Sequence, residues 1–396
     1  MIQALEGMKV IDLSQVLAGP YCTMVLGDMG ADVIKIEKYP KGDDTRSMGH
    51  TIYEESHMYM MVNRNKRGMC LNLKSNEGRK ILLDLIKTAD VFIENYRPGV
   101  TKKLGIDYET LKEINPGLIY CSISGYGQTG PYSKKGGYDI MAQGMSGLMD
   151  MTGEKRGKPV KVGIAIHDIA AAQTAIQSIL TAYIHRLKNG KGQYIDVSLV
   201  NAGLAWTVWE AAAFFGTGEV AKRNGTAHRA SAPYQGYETK DGFILIGAAN
   251  QKLWENFCLN VVDQPHWLED PRYETVSLRT EHVDELEVEI EEILKQKDSA
   301  HWLKLLEENG IPSGPIYSYD QTLNDPHILE QEMVLQYEHP VGGQMKTLGF
   351  PAKFSETPGQ LRMPAPLLGQ HNKEILTELG YSDEDYEILK DKEIIK

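Results

Sequence analysis

His167-Asp168 stands at the start of the strongest helical pattern in the chain, where an aspartate can do chemistry. From Ile169 onward, Ala172, Ile176, Ile179, Leu180, Tyr183 and Leu187 recur at helical spacing, and Lys188-Asn189-Gly190 supplies a C-cap signal. Asp168 directly precedes that run, so its plainest role is an N-cap contributing about 1 kcal/mol to the helix. The position also suits a nucleophile. Unpaired backbone N–H groups and the helix dipole favour the ionised carboxylate, which can attack an electrophilic carbonyl, and the same N–H groups can stabilise the oxyanion that develops. His167 is an acid/base candidate beside it, although adjacent side chains at a helix start generally diverge.

Other familiar catalytic patterns fail on spacing. Ser14-Gln15-Val16-Leu17-Ala18-Gly19-Pro20 has a single glycine, so the dinucleotide fingerprint is missing. Gly153-Glu154-Lys155-Arg156-Gly157-Lys158-Pro159 fails the phosphate-loop pattern in spacing and final residue. Gly144-Met145-Ser146-Gly147 misses the second glycine of a nucleophile elbow by one position. The histidines form no H-E-x-x-H cluster, so neither a metal nor a permanently bound cofactor is expected. Cys22, Cys70, Cys121 and Cys258 lie singly in apolar segments and read as buried free thiols.

A net charge of −12 repels polyanions, and no basic patch offsets it, so nucleic acid is not an expected partner. A small phosphorylated ligand remains compatible, because a few lysines and a helix start can hold one locally. Met1 to Gly7 lacks the basic start and apolar stretch of a signal peptide, and no apolar run is long enough to span a bilayer. The expectation is a cytoplasmic protein with no membrane partner.

With 396 residues, two domains are expected. Met8–Leu13, a helix from Tyr21 to Met29 and Asp32–Ile36 form a β-α-β unit. Alternation continues with a Ser75-capped helix through Lys87, a strand at Val91–Ile93, a short helix at Tyr108–Glu113 and strands at Leu118–Ile123 and Gln193–Leu199. This predicts an α/β, Rossmann-like large domain over residues 1–215 with a mostly parallel sheet. Residues 216–232 read as a linker, 233–330 as a smaller α+β domain opened by a hairpin around Lys240-Asp241-Gly242, and 331–396 as a segment returning to the large domain.

Several ordered blocks give the chain a resemblance. Leu13-Ser14-Gln15-Val16-Leu17-Ala18-Gly19-Pro20, Gly30 to Glu37, Asn63 to Arg67, Ala89 to Gly99, Gly125-Tyr126-Gly127, Gly137-Tyr138-Asp139, His167-Asp168 and Pro366 to His371 resemble the family III CoA-transferases, the carnitine and bile-acid (CaiB/BaiF) group. The resemblance implies an interlocked-ring homodimer and CoA transfer from an acyl-CoA donor to a carboxylic acid acceptor, with the CoA thioester as substrate. It implies Asp168 as nucleophile, passing through an aspartyl anhydride and an aspartyl-CoA thioester in a pocket that excludes water. It also implies that CoA meets Val16, Leu17, Lys38, Leu71, Lys74, Asn95, Tyr96, Arg97 and Lys103, with the basic residues on phosphates and Tyr96 against adenine. Gly247-Ala248-Ala249-Asn250 of the second domain is a candidate cover, or an ordinary strand-to-helix turn.

Two other readings stay open. The α-methylacyl-CoA racemases of the same fold group use an acid/base pair with histidine in a Gly-His-Asp block. Here the block is Gly137-Tyr138-Asp139, and a tyrosine is a poor base at neutral pH. Tyr138, with Asp139, is instead placed in the acyl pocket, or is a buried aromatic at a strand end. A non-catalytic CoA-ester-binding protein is the second alternative. Formyl-CoA and oxalate enzymes of the group carry a glycine run where this chain reads Asn224-Gly225-Thr226-Ala227-His228-Arg229-Ala230-Ser231, which argues against that specificity. His228 or Arg229 suits a second carboxylate, so a dicarboxylate such as succinate or oxalate is the expected acceptor, with a solvated linker as the plain alternative.

Overall fold

Apolar runs with side chains facing two ways build the centre of the fold. In the computed structural model, which describes residues 2–52 and 55–396, they form one sheet with helices on both faces. Along the chain come β1 (Lys9–Asp12), α1 (Ala18–Asp28), β2 (Asp32–Lys38), β3 (Lys66–Leu71), α2 (Asn76–Ile86), β4 (Val91–Glu94), β5 (Ile119–Ser124), α3 (Asp139–Met145), α4 (Ile166–Asn189), β6 (Tyr194–Ser198) and α5 (Leu199–Leu204). The strand order is β3-β2-β1-β4-β5-β6, every neighbouring pair is parallel, and the order is that of a Rossmann fold.

Alternation sorts the core into two layers. Val91, Ile93, Ile119, Cys121 and Ile123 point to α1 and α4, while Phe92 and Tyr120 point to α2 and the C-terminal helices. Along α4, Ala170, Ala171, Ala172, Ala175 and Ala182 are buried, and such small side chains let the helix lie close on the sheet. Gly190 closes α4 in the left-handed conformation at φ 72°. The four cysteines are buried and free. The tail returns to this layer: Asn72 N–H donates to the Ile394 carbonyl at 2.8 Å, and Leu71 pairs with Ile395 in an antiparallel bridge.

The chain divides into a larger unit, Met1–Leu148, Lys161–Ala212 and His327–Lys396, and a second unit, Met149–Val160 and Ala213–Pro326. The second unit therefore takes in Met149–Val160, read above as large domain, and residues 216–232, read as linker. Local bonds explain why: Arg223 pairs with Asp150 at 2.9 Å, and Gly225 N–H donates to the Gly153 carbonyl at 3.0 Å. Its hairpin, β7 (Tyr234–Glu238) and β8 (Phe243–Gly247), turns through Lys240-Asp241-Gly242 and gains a third antiparallel strand, β9 (Ser313–Pro315). Trp254, Trp267 and Tyr273 centre its separate core.

Candidate active site

β1 and β4 are adjacent in the sheet, but their connections leave in opposite directions, so a crevice opens at their carboxyl ends. A cavity of about 420 Å³ lies there, lined by Val16 and Leu17 after β1, Asn95, Tyr96 and Arg97 after β4, and Asp168 from α4. Gly125, Tyr138 and Asp139 complete that part of the wall.

The loop after β1 is held in a costly shape. Val16 has φ 70°, a left-handed conformation that a β-branched residue rarely adopts. Its N–H donates to Asp43 at 3.2 Å, while Gln15 and Asn95 exchange two bonds, Gln15 N–H to Asn95 Oδ1 at 2.8 Å and Asn95 Nδ2 to the Gln15 carbonyl at 2.7 Å. Beneath lies a fully buried charge network. Lys35 Nζ donates to the Ser14 carbonyl at 2.8 Å and pairs with Asp43 at 3.0 Å, and Lys66 pairs with Asp12 at 3.1 Å. Burial alone would raise Asp12, but Lys35 and Lys66 outweigh it and hold the carboxyl at about 2. Two lysines thus stay charged inside the sheet to fix one loop at the cavity.

The start of α4 differs from the sequence reading. The helix begins at Ile166, three residues before the apolar pattern, so Ala165 is the N-cap and Asp168 lies within the first turn. Asp168 is therefore not the capping residue. The capping bond comes from Asp139, whose Oδ1 accepts the His167 N–H at 2.8 Å, and Gln143 Nε2 donates to the other oxygen at 2.6 Å. A partner 28 residues away in sequence is invisible to a local cap pattern.

Asp168 is half-buried. Burial, and then the neighbouring Asp139 carboxylate, push it up to about 7. This reverses the expectation that the helix start keeps it ionised: at neutral pH it is split between acid and carboxylate.

His167 turns away from the cavity. Its ring is fully buried, with Nδ1 2.8 Å from the Leu199 carbonyl oxygen and Nε2 3.0 Å from Ser146 Oγ. The segment rejected as a nucleophile elbow thus supplies a serine to a histidine, but both are buried and the third partner is a carbonyl, so no exposed nucleophile results. Tyr138 is not a buried strand-end aromatic: it precedes α3 and is 67% exposed at the cavity wall. Gly125 and Gly137 cross so closely that a Cβ on either would come within 2.7 Å of the other's Cα.

Of the residues expected to meet CoA, Val16, Leu17, Asn95, Tyr96 and Arg97 share the cavity with Asp168. Lys38 is not on the wall but bonds to Asp44 and to Gln15 Oε1, which are. Leu71 has its side chain in the core, and Lys74 and Lys103 are exposed outside the cavity lining. His228 and Arg229 belong to the second unit, where the His228 ring stacks on Tyr234 and its Nδ1 accepts the Ala230 N–H at 3.2 Å. Asn250 caps the following helix by accepting the Leu253 N–H at 2.9 Å, the ordinary turn chemistry of such a segment.

The sequence reading missed Gln15, Asp44, Met48, Ser133 and Lys135 on the wall. Lys135 had a readable signal, a basic pair inside a glycine-rich loop; Met48 had none. Among the described residues, no group of three His, Cys, Asp or Glu side chains is arranged to hold a metal ion, and no helix is long and apolar enough to cross a membrane.

Comparisons with known proteins agree with this geometry. Residues 5–372 match the family model of CoA-transferase family III. The chain is 41% identical over 384 residues to the human succinyl-CoA:glutarate CoA-transferase, covering 96% of this chain and 87% of that one. It is 37% identical over 387 residues to the succinyl-CoA:mesaconate CoA-transferase of Haloarcula marismortui, covering 95% and 96%. The crystal structure of a CaiB/BaiF family protein from Brucella suis superposes with a TM-score of 0.86 at 36% identity, covering 96% of this chain and all of that one.

Proposed function

Because the chain belongs to CoA-transferase family III and is a CoA-transferase, we propose that it moves CoA from a dicarboxylic acyl-CoA, succinyl-CoA in the first instance, to a second dicarboxylate through covalent steps on Asp168. The observation that carries this reading is the half-buried Asp168 carboxyl in the wall of a switch-point cavity whose other walls are the loops after β1 and β4. An Asp168 oxygen attacks the thioester carbonyl, the C–S bond breaks, and an acyl-aspartyl anhydride and CoA thiolate result. The thiolate then attacks the aspartyl carbonyl, releasing the donor acid and leaving an aspartyl-CoA thioester. The acceptor carboxylate repeats both steps in reverse and regenerates Asp168.

Relatives that act on glutarate and mesaconate support a dicarboxylate acceptor. In this reading Arg97, Lys38, Lys74 and Lys103 meet CoA phosphates, Tyr138 and Asp139 border the acyl group, and His228 or Arg229 receives the acceptor's remote carboxylate. We also infer that the working form is the interlocked homodimer. Trp209 and Phe215, 79% and 82% exposed in the helix Val208–Thr217, support a partner surface, since apolar patches of this kind are seldom left in water.

The test is to incubate the protein with succinyl-CoA and glutarate, with and without hydroxylamine. Glutaryl-CoA formation and a hydroxamate or chain cleavage at Asp168 are expected. Wild-type-like transfer by Asp168→Ala would refute the nucleophile.

A further inference from the structure

The first turn of α4 is fixed by side chains that the transfer steps do not consume. Ala165 has no polar side chain to cap the helix, and Asp139 from α3 supplies the missing acceptor to the His167 N–H. Gln143 ties the preceding segment as well, donating to Asp139 and accepting the Val162 N–H at 2.9 Å. On the other side the His167 ring reaches the Leu199 carbonyl, which can only accept. Nδ1 donates to that oxygen, and Nε2 lies within hydrogen-bond distance of Ser146 Oγ, so both ring nitrogens are occupied. α5 makes room for it at one residue. A Cβ on Gly203 would come within 2.1 Å of the ring, so a larger residue there and the ring cannot share the space.

Resting on the reading of Asp168 as nucleophile, we propose that Asp139, His167 and Gly203 form a clamp that sets the direction in which the Asp168 carboxylate meets the thioester carbonyl. His167, its ring buried and bonded at both nitrogens, is a positioning residue and not an acid or base. The physical need is plain: a carboxylate on the fraying end of a helix samples several directions, and misplacement by about 1 Å costs a reaction on the order of 100-fold. The His167 side chain is buried away from the cavity, while the adjacent Asp168 lines it.

The test compares kcat and KM for acyl-CoA in a set of variants of the full chain. His167→Ala is expected to lower kcat by about 100-fold and leave KM within about threefold. His167→Asn, whose amide can still donate to the Leu199 carbonyl, recovers most of that loss. Gly203→Ala falls as far as His167→Ala, and adding it to His167→Ala costs nothing more, since the ring it would strike is gone. If the core variants fail to fold, Asp139→Ala carries the test, read on the high-pH plateau where Asp168 is ionised in every variant: kcat falls about tenfold, and Asp139→Asn, whose amide oxygen still accepts the His167 N–H, loses less. A His167→Ala kcat within threefold of wild type, or independent losses in the double variant, overturns the clamp. Asp168→Ala in the same assay separates the two ideas. If it transfers normally, the nucleophile reading fails; if it is dead while His167→Ala is unimpaired, only the clamp fails.

Discussion

Replacing Asp168 by asparagine should stabilise the fold, and more so as the pH rises. The carboxyl ordinarily titrates at 3.8, but in the folded chain burial and then Asp139 push it up to about 7. Between those values the folded state holds a proton that the unfolded state has lost, so wild-type stability falls with rising pH across that window and levels off above it. At about 1.4 kcal/mol per unit, roughly three units amount to about 4 kcal/mol. Asp168 is half-buried, and screening by solvent reduces the expected effect to roughly 2–4 kcal/mol. Asp168→Asn keeps the shape and loses the charge. Urea unfolding of both proteins, followed by circular dichroism from pH 4 to pH 9, should show little difference at the acid end, a widening advantage for the variant up to about pH 7, and a constant one beyond. Parallel curves would refute the reasoning. A wild type that gains on the variant as pH rises would show instead that the helix start stabilises the carboxylate, as the sequence alone suggests.

With Asp168 as the proposed nucleophile, kcat/KM should rise with pH through about 7 as it ionises, and Asp139→Asn should move that limb to lower pH, as read from initial rates. Asp43→Ala removes the salt-bridge partner of the buried Lys35, leaving its ammonium to the Ser14 carbonyl, and should cost about 3–5 kcal/mol in urea unfolding. Gly137→Ala places a Cβ within 2.7 Å of the Gly125 Cα, so calorimetry should find the chain destabilised by roughly 1–3 kcal/mol, with weaker acyl-CoA binding.

What could be read from the sequence followed from local pattern. The strands around Val10, Val33, Val91 and Ile119 and the Asp241-Gly242 hairpin stand near where their apolar runs and turn residues put them. β3 was missed because its first half, Lys66-Arg67-Gly68, looks like a solvated loop, and the partners that make a buried lysine there tolerable include Asp12 and the Pro20 carbonyl, 54 and 46 residues away. The start of α4 was misplaced for a similar reason, its cap being lent by another helix. Ordered motif blocks brought Val16, Asn95, Tyr96, Arg97 and Asp168 to notice, and the cavity gathers them; Asp44 and Met48, which depend on how the chain folds back after β2, left no such trace.

The buried lysines also proofread assembly. Lys66 pairs with Val33 in the parallel register of β2 and β3, and this alone points its ammonium at Asp12. Sliding β3 by one residue would turn Lys66 into the oily layer of Ile34, Ile36 and Phe92 and leave Asp12 with one counter-ion fewer. Each stranded charge costs about 3–5 kcal/mol, a sizeable share of what holds a domain together. A misaligned sheet therefore gives up stability on the scale of the whole domain, and the aligned one holds the Val16 loop at the cavity wall.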